Sequence, residues 1–505
     1  MTLPTLRKIV LLTVVTTASA MAAASSALAD AAEHRDQAAL RALLGKGANV
    51  NAAQVDGTTA LHWAVYNDDA ESAELLIKAG ANVNALNNYG DAPLVQACNN
   101  ANARMMKLLL DAGANPNTTL KGGETALMLA ARSGNVESVK MLLARGANAN
   151  AHERLGQTAL MWAAAEAHSA VIRALLDADA DINAKVDSGF TPFFFAVREG
   201  RLDAVRVFLA AGVDVNGMMG RGGRGGGGRT SPLLLAVQNG HFELAIALID
   251  AGADPNDLRT GFAALHMLPG VRKPDSSDGS DGAPAEGAGH LSSLEFVREI
   301  VKRGANVNLR LAKDAPRVPS TSSTIASPGA TPLLFAADRS DVALMRLLLE
   351  LGADPLIPNL NNTTPLMAAA GVGTKEALEE AGEESEAVDA VKMLLDRGAD
   401  IDGVDNNGDT AMHGAAYNHY PLVVKLLAEH GAKPEIWNKP NKAGRTPLII
   451  AEGYVGAELR PDPPTVEAIT NLMLAAGLST GGARPAVIDQ YRRPVAPPKP
   501  SQPEK

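Results

Sequence analysis

The chain has 505 residues, a formal net charge of −10, 46% hydrophobic but only 4% aromatic residues, and a single cysteine. One cysteine excludes an intramolecular disulfide, and an acidic chain generally repels a polyanion, so nucleic acid is excluded as the main partner. Length alone would suggest about three domains.

The first 29 residues read as a secretory signal peptide. Arg7 and Lys8 precede the apolar run Ile9 to Val15, and small residues lead to Ala27-Leu28-Ala29 before Asp30. The apolar core is short for a membrane span, so cleavage before Asp30 is the first reading and an uncleaved anchor the second. Losing Arg7 and Lys8 would take the net charge to −12. No cysteine lies near the cleavage point, which argues against a lipoprotein. The expected location is the periplasm, or else outside the cell, with no membrane span left after cleavage.

A half-motif, AALRALLGKGANVN, begins at Ala38. Beyond it, Gly-x-Thr-Ala/Pro-Leu recurs, followed about twenty residues later by Leu-Leu-x-x-Gly-Ala-x-x-Asn. The Thr position falls at Thr59, Ala92, Thr125, Thr158 and Thr191, a constant interval of 33 residues. With inserts it continues at Ser231, Ala263, Thr331, Thr364, Thr410 and Thr446. Such a period means a solenoid, which adds layers without starting a new core, so residues 30–479 read as one array. Within each unit, Thr59 and its equivalents can cap a first helix, and Pro at positions such as 93, 192 and 332 suits its first turn. A second helix carries Val139, Leu142 and Leu143 at helical spacing. It should end where Gly80, Gly113, Gly146 and Gly212 supply a left-handed cap, with Asp179 in that place once. The Asn-, Asp- and Gly-rich stretch that follows reads as a turn or hairpin.

Three copies quoted in full are GTTALHWAVYNDDAESAELLIKAGANVNA from Gly57, GETALMLAARSGNVESVKMLLARGANANA from Gly123 and GDTAMHGAAYNHYPLVVKLLAEHGAKPE from Gly408. These resemble ankyrin repeats, and the resemblance runs from about residue 31 to 479. It implies an all-α repeat solenoid of helix-turn-helix repeats joined by β-hairpin loops, with eleven full repeats after an N-terminal half-repeat.

Excess length over the normal unit places hairpin inserts near 217–229 and 309–329. Inserts between the two helices fall near 269–291, 372–388 and 452–464. The first holds GRGGRGGGGR, from Gly220 to Arg229, which reads as a flexible loop before an RNA-binding tract in an exported acidic protein. Pro269 should truncate the first helix of the seventh motif repeat and make that joint the weakest. The acidic insert at 372–388 could extend a helix. Residues 480–505 form a Pro-rich tail expected to be unpacked.

A search for catalytic motifs gives no nucleophile elbow, zinc helix, cysteine pair or phosphate loop, so no catalytic, cofactor or metal residue is assigned. Asp405-Asn406-Asn407-Gly408-Asp409 resembles part of a calcium loop, but Gly403 and Gly414 stand where ligands are needed, and it reads as a hairpin tip. Cys98 falls at a small buried position. His62, His266 and His413 belong to the repeat motif and should brace the neighbouring turn.

What the family resemblance implies is a protein partner on a concave face made by hairpin tips and first-helix ends. Carried over copy by copy, that face holds Tyr66, Asn67, Asn99, Asn100, Arg132, Arg198, Glu199, Gln238, Asp338, Arg339, Tyr417 and Asn418. Trp437, in a lengthened hairpin, should be exposed and join them, whereas Trp63 and Trp162 should be core. The function expected is a non-catalytic protein-binding scaffold. A regulatory or protective subunit of one exported enzyme is the alternative.

Overall fold

The computed structural model describes residues 26–220, 229–274, 289–318, 323–373, 382–454, 461–481 and 484. Most of the leader, the arginine–glycine tract between 221 and 228, the insert centres and the tail beyond 484 lie outside these residues. The chain divides into two compact units, residues 1–232 and 233–505.

In the first unit each 33-residue period folds as two antiparallel helices. Thr59 caps the helix Ala60–Tyr66, and its own N–H donates to His62 Nδ1 at 3.2 Å. Thr125, Thr158 and Thr191 repeat the cap, whereas Ala92 has no capping side chain and relies on Pro93 in the first turn. The second helices are capped too, by Asp36, Asp69, Asn102 and Asn135, each accepting from a backbone N–H three residues on. They end at left-handed residues, Gly80 at φ +88° and, in its own copy, Asp179 at φ +57°. Asp thus takes the backbone that glycine holds elsewhere, because its short polar side chain tolerates that region.

The core is a ladder of equivalent positions. Leu76, Leu109, Leu142, Leu175 and Phe208 recur at the repeat interval, and none has any exposed surface. Each buried side chain of this size stabilises by about 1.5–3 kcal/mol. First helices pack on the first helices of adjacent layers, and second on second. Ala64, Ala97, Ala130 and Ala163 keep the layers close. Cys98 sits among these small residues, fully buried, and burial pushes its thiol up to about 12.

The half-repeat has a partner that its motif did not reveal. Ala27–Glu33 is a helix packed against both Gln37–Gly45 and Ala60–Tyr66, with Leu28 and Ala29 buried. The expected processing point, before Asp30, therefore falls inside a helix of the first layer.

The connecting loops expected as hairpins carry no regular strand among the described residues. Among the described residues they form reverse turns with isolated antiparallel bridges, Ala53 to Thr59, Thr119 to Thr125, His152 to Thr158 and Met219 to Thr230. Side chains staple them instead. Asn51 Oδ1 accepts from Asn82 N–H at 2.6 Å while its Nδ2 donates to Gly80 O at 3.3 Å. Asn84, Asn117 and Asn150 make the same pair of bonds to the next layer. The Asn of Gly-Ala-x-x-Asn is thus an inter-repeat clamp.

The second unit repeats the architecture with inserts, and Asn256 and Asn308 make the same clamp. The helix expected to stop at Pro269 runs from Ala264 to Arg272. Proline removes one N–H, but Leu268 and Val271 are buried on either side, and Arg272 closes a two-pronged ion pair with Asp341. Lys273 adds a bond to Glu386 at 2.7 Å. The acidic insert does extend a helix, Glu384–Leu395. Leu311, Val318 and Ile325 of the 309–329 insert are buried, so its described parts pack on the repeats.

His62, His266 and His413 brace as expected. Their Nε2 atoms donate to the carbonyls of Asp91, Leu309 and Lys439 at 3.0, 2.9 and 3.1 Å. Burial pushes the imidazoles of His266 and His413 down to about 4, so both are neutral near pH 7.

Candidate protein-binding face

The residues expected to bind sort into three groups by exposure and contact. Tyr66, Asn99, Asn100, Arg132, Arg198 and Gln238 are exposed. Tyr66, 60% exposed, stands edge-on to Trp63 with ring centroids 5.6 Å apart. Arg132 lies over the Trp162 ring at 5.1 Å, and Arg198 over Phe190 and Phe195 at 5.2 and 5.0 Å while its Nε donates to Glu199 at 2.8 Å. Trp63 and Trp162 are half-buried rather than core, their Nε1 atoms donating to Gln54 and Gln157 at 2.7 Å. Their position one turn into the first helix puts an indole edge beside the next residues of the same face.

A second group, to which the exposed Asn100 also belongs, is tied to the fold. Asn67 Nδ2 donates to the carbonyls of Ala32 and Glu33 at 3.0 and 3.1 Å, and Asn100 Nδ2 to Val65 O at 3.2 Å. They close the free carbonyls at the end of the preceding first helix. His168 and Arg201 do the same for Arg132 O and Ala165 O. Glu199, Asp338, Tyr417 and Asn418 are half-buried.

The third group is misplaced by sequence reasoning. Arg339 is only 2% exposed and Trp437 only 3%. Trp437 ends a short helix, Pro434–Trp437, that folds the lengthened loop inward, and its Nε1 has no hydrogen-bond partner among the described residues. The reading of a protruding tryptophan fails because Pro434 starts a helical turn where an open hairpin was expected.

Residues that the motif comparison missed include exposed Val55, Tyr89 and Leu155 at the turn tips. Apolar residues in turns otherwise rich in Asn and Gly were the available signal. Among the described residues, no group of three or more His, Cys, Asp or Glu side chains could hold a metal ion, and no helix is long and apolar enough to cross a membrane.

The model of three consecutive ankyrin repeats matches residues 28–120, 69–153, 94–186, 127–219 and 378–457, and that of a single ankyrin repeat matches 229–260 and 329–360. The chain belongs to the ankyrin repeat family. Ankyrin repeat and SOCS box protein 16 of Mus musculus is 32% identical over 226 residues, covering 44% of this chain and 47% of that protein. Serine/threonine-protein kinase 12 of Arabidopsis thaliana is 33% identical over 105 residues, 21% of this chain and 20% of the kinase. A Rickettsia bellii protein named for its ankyrin repeats is 37% identical over 67 residues, 13% of this chain and 35% of that protein. The chain spans about half the length of the curated relatives that it matches over the longest stretch. Ankyrin repeats imply a protein–protein interaction scaffold, and the likeness to the kinase is one of repeats.

Proposed function

We propose that this ankyrin array is a non-catalytic scaffold working in the periplasm or outside the cell, and that its partner docks on the face bearing Tyr66, Arg132 and Arg198. The stacked arginines carry the reading. A guanidinium held over a ring is partly ordered before binding, so less side-chain entropy is lost on contact. Arg and aromatic side chains are also the types that dominate interface energies. Support for export comes from Arg7-Lys8, the short apolar run and Ala27-Leu28-Ala29.

Affinity capture from an envelope fraction tests it, using the parent and a Tyr66→Ala, Arg132→Ala, Arg198→Ala variant. The variant should lose the partner while its thermal melt stays nearly unchanged, since exposed substitutions usually move stability by about 0.5 kcal/mol or less. Leu142→Ala should do the reverse, costing about 2–5 kcal/mol through the cavity it leaves. Equal capture by parent and triple variant would refute the assignment.

A further inference from the structure

The 309–329 insert changes the repeat surface locally. Residues Thr324–Ala326 lie against Val372 and Gly373, and these two segments wall a cavity of about 380 Å³ over the turns of the ninth, tenth and eleventh motif repeats. Thr324 fastens the wall, its N–H and Oγ1 both donating to Gly373 O at 2.7 and 2.8 Å. Gly373 has φ +103°, and a Cβ there would come within 2.4 Å of Ile325, so only glycine lets the wall close.

The lining is polar and unbalanced in charge. It holds the carboxylates of Asp405 and Asp409 against the single guanidinium of Arg445, with Asn407 and the Tyr417 hydroxyl beside them. Asp405 is fully engaged. Its Oδ1 accepts from the N–H groups of Asn407 and Asp409, and its Oδ2 from Asn361 Nδ2 at 3.0 Å. Asp409 is not. Only 8% exposed, it accepts one bond at Oδ1, from Asn441 Nδ2 at 2.7 Å, and its Oδ2 takes none from any described residue. Burial is the first cause that holds both carboxyls above the usual carboxylate range; the neighbouring Asp409 adds to the rise at Asp405, whereas at Asp409 the Asn441 bond and the Arg445 guanidinium offset only part of it. A poorly solvated anion with an open oxygen on a cavity wall is stabilised by a cation that enters. His413 is neutral and already bonded, so it does not supply that cation.

We propose that this walled cavity receives one basic side chain, an arginine or lysine of the protein partner, with Asp409 Oδ2 as its counter-charge and Tyr417 and Asn407 fixing its head. The cavity is at the small end of ligand sites, enough for one side chain rather than a folded ligand. This rests on the reading of the array as a protein-binding scaffold, but its test needs no partner.

Acetyl-arginine amide and acetyl-lysine amide are titrated into the full chain by ligand-observed NMR, beside acetyl-glutamate amide and calcium chloride. The expected result is binding of the two cationic amides with dissociation constants on the order of millimolar, as suits fragments of this size. No binding of the glutamate amide is expected. Asp409→Asn should weaken the cationic amides at least fivefold, and Asp187→Asn, the same charge change on an exposed turn of the first unit, should not. Tyr417→Phe, which keeps the ring, should weaken them less and guards against a folding defect in Asp409→Asn. Calcium displacing the amides, equal binding of the glutamate amide, or wild-type binding by Asp409→Asn would each overturn the proposal. Amide binding alongside failed capture by the parent would instead count against the scaffold reading.

Discussion

Asp341→Asn is the most informative single substitution because it changes charge and almost nothing else. Asp341 is buried, caps the helix Val342–Glu350 through Leu344 N–H at 3.1 Å, and pairs with Arg272 through Nε to Oδ2 at 2.6 Å and Nη2 to Oδ1 at 3.1 Å. The side chains of the pair are only 12% and 2% exposed, so the guanidinium left behind cannot recover its lost partner from water. Breaking one side of such a pair costs about 3–5 kcal/mol, whereas replacing both members by groups of similar shape is often near neutral. Asparagine keeps the cap, so capping contributes little to the loss. Asp69→Asn is the control, a capping carboxylate bonded to Ser72 and Gln37 but to no cation. Arg272→Met should cost about as much as Asp341→Asn, and the double variant should be more stable than either single one. Because an array of repeats need not unfold in one step, urea unfolding is read together with hydrogen exchange in Ala264–Arg272 and Val342–Glu350. If Asp341→Asn behaves like Asp69→Asn, or the single losses simply add in the double variant, the ion pair is not what carries the helix Ala264–Arg272 past Pro269.

Acid should weaken the fold between about pH 6.5 and 4. His266 and His413 are pushed down to about 4, so on acidification the unfolded chain binds protons first, and each histidine withdraws on the order of 3 kcal/mol across that window. Urea midpoints at pH 7.5 and 5 check this, and a flat profile would contradict it; His413→Gln should start less stable and lose less. Processing offers another test. Cleavage before Asp30 leaves four of the seven residues of Ala27–Glu33, so a chain starting at Asp30 should show faster exchange in Gln37–Gly45 than one starting at Ser26. N-terminal sequencing of exported protein that returned Met1 would remove the premise.

Local chemistry was legible along the chain because capping is a matter of a few adjacent atoms. Thr59 and its equivalents, the left-handed glycines and the interval of 33 residues specify where helices begin, end and stack, and they name the family. The clamping asparagines, at a fixed place after each Gly-Ala, were present in the same pattern, but their role needs two layers in contact. Burial of Trp437 and Arg339, the helix through Pro269, and the cavity over Asp409 were not legible for a related reason. Each depends on how an irregular segment lies against residues far away in sequence, and an insert has no period from which its path can be read. The repeating helix pairs and their ends follow from the residue pattern along the chain. Which side chains at equivalent positions face solvent, a neighbour or a cavity follows instead from the packed layers, because that choice is made by contacts between layers rather than within one.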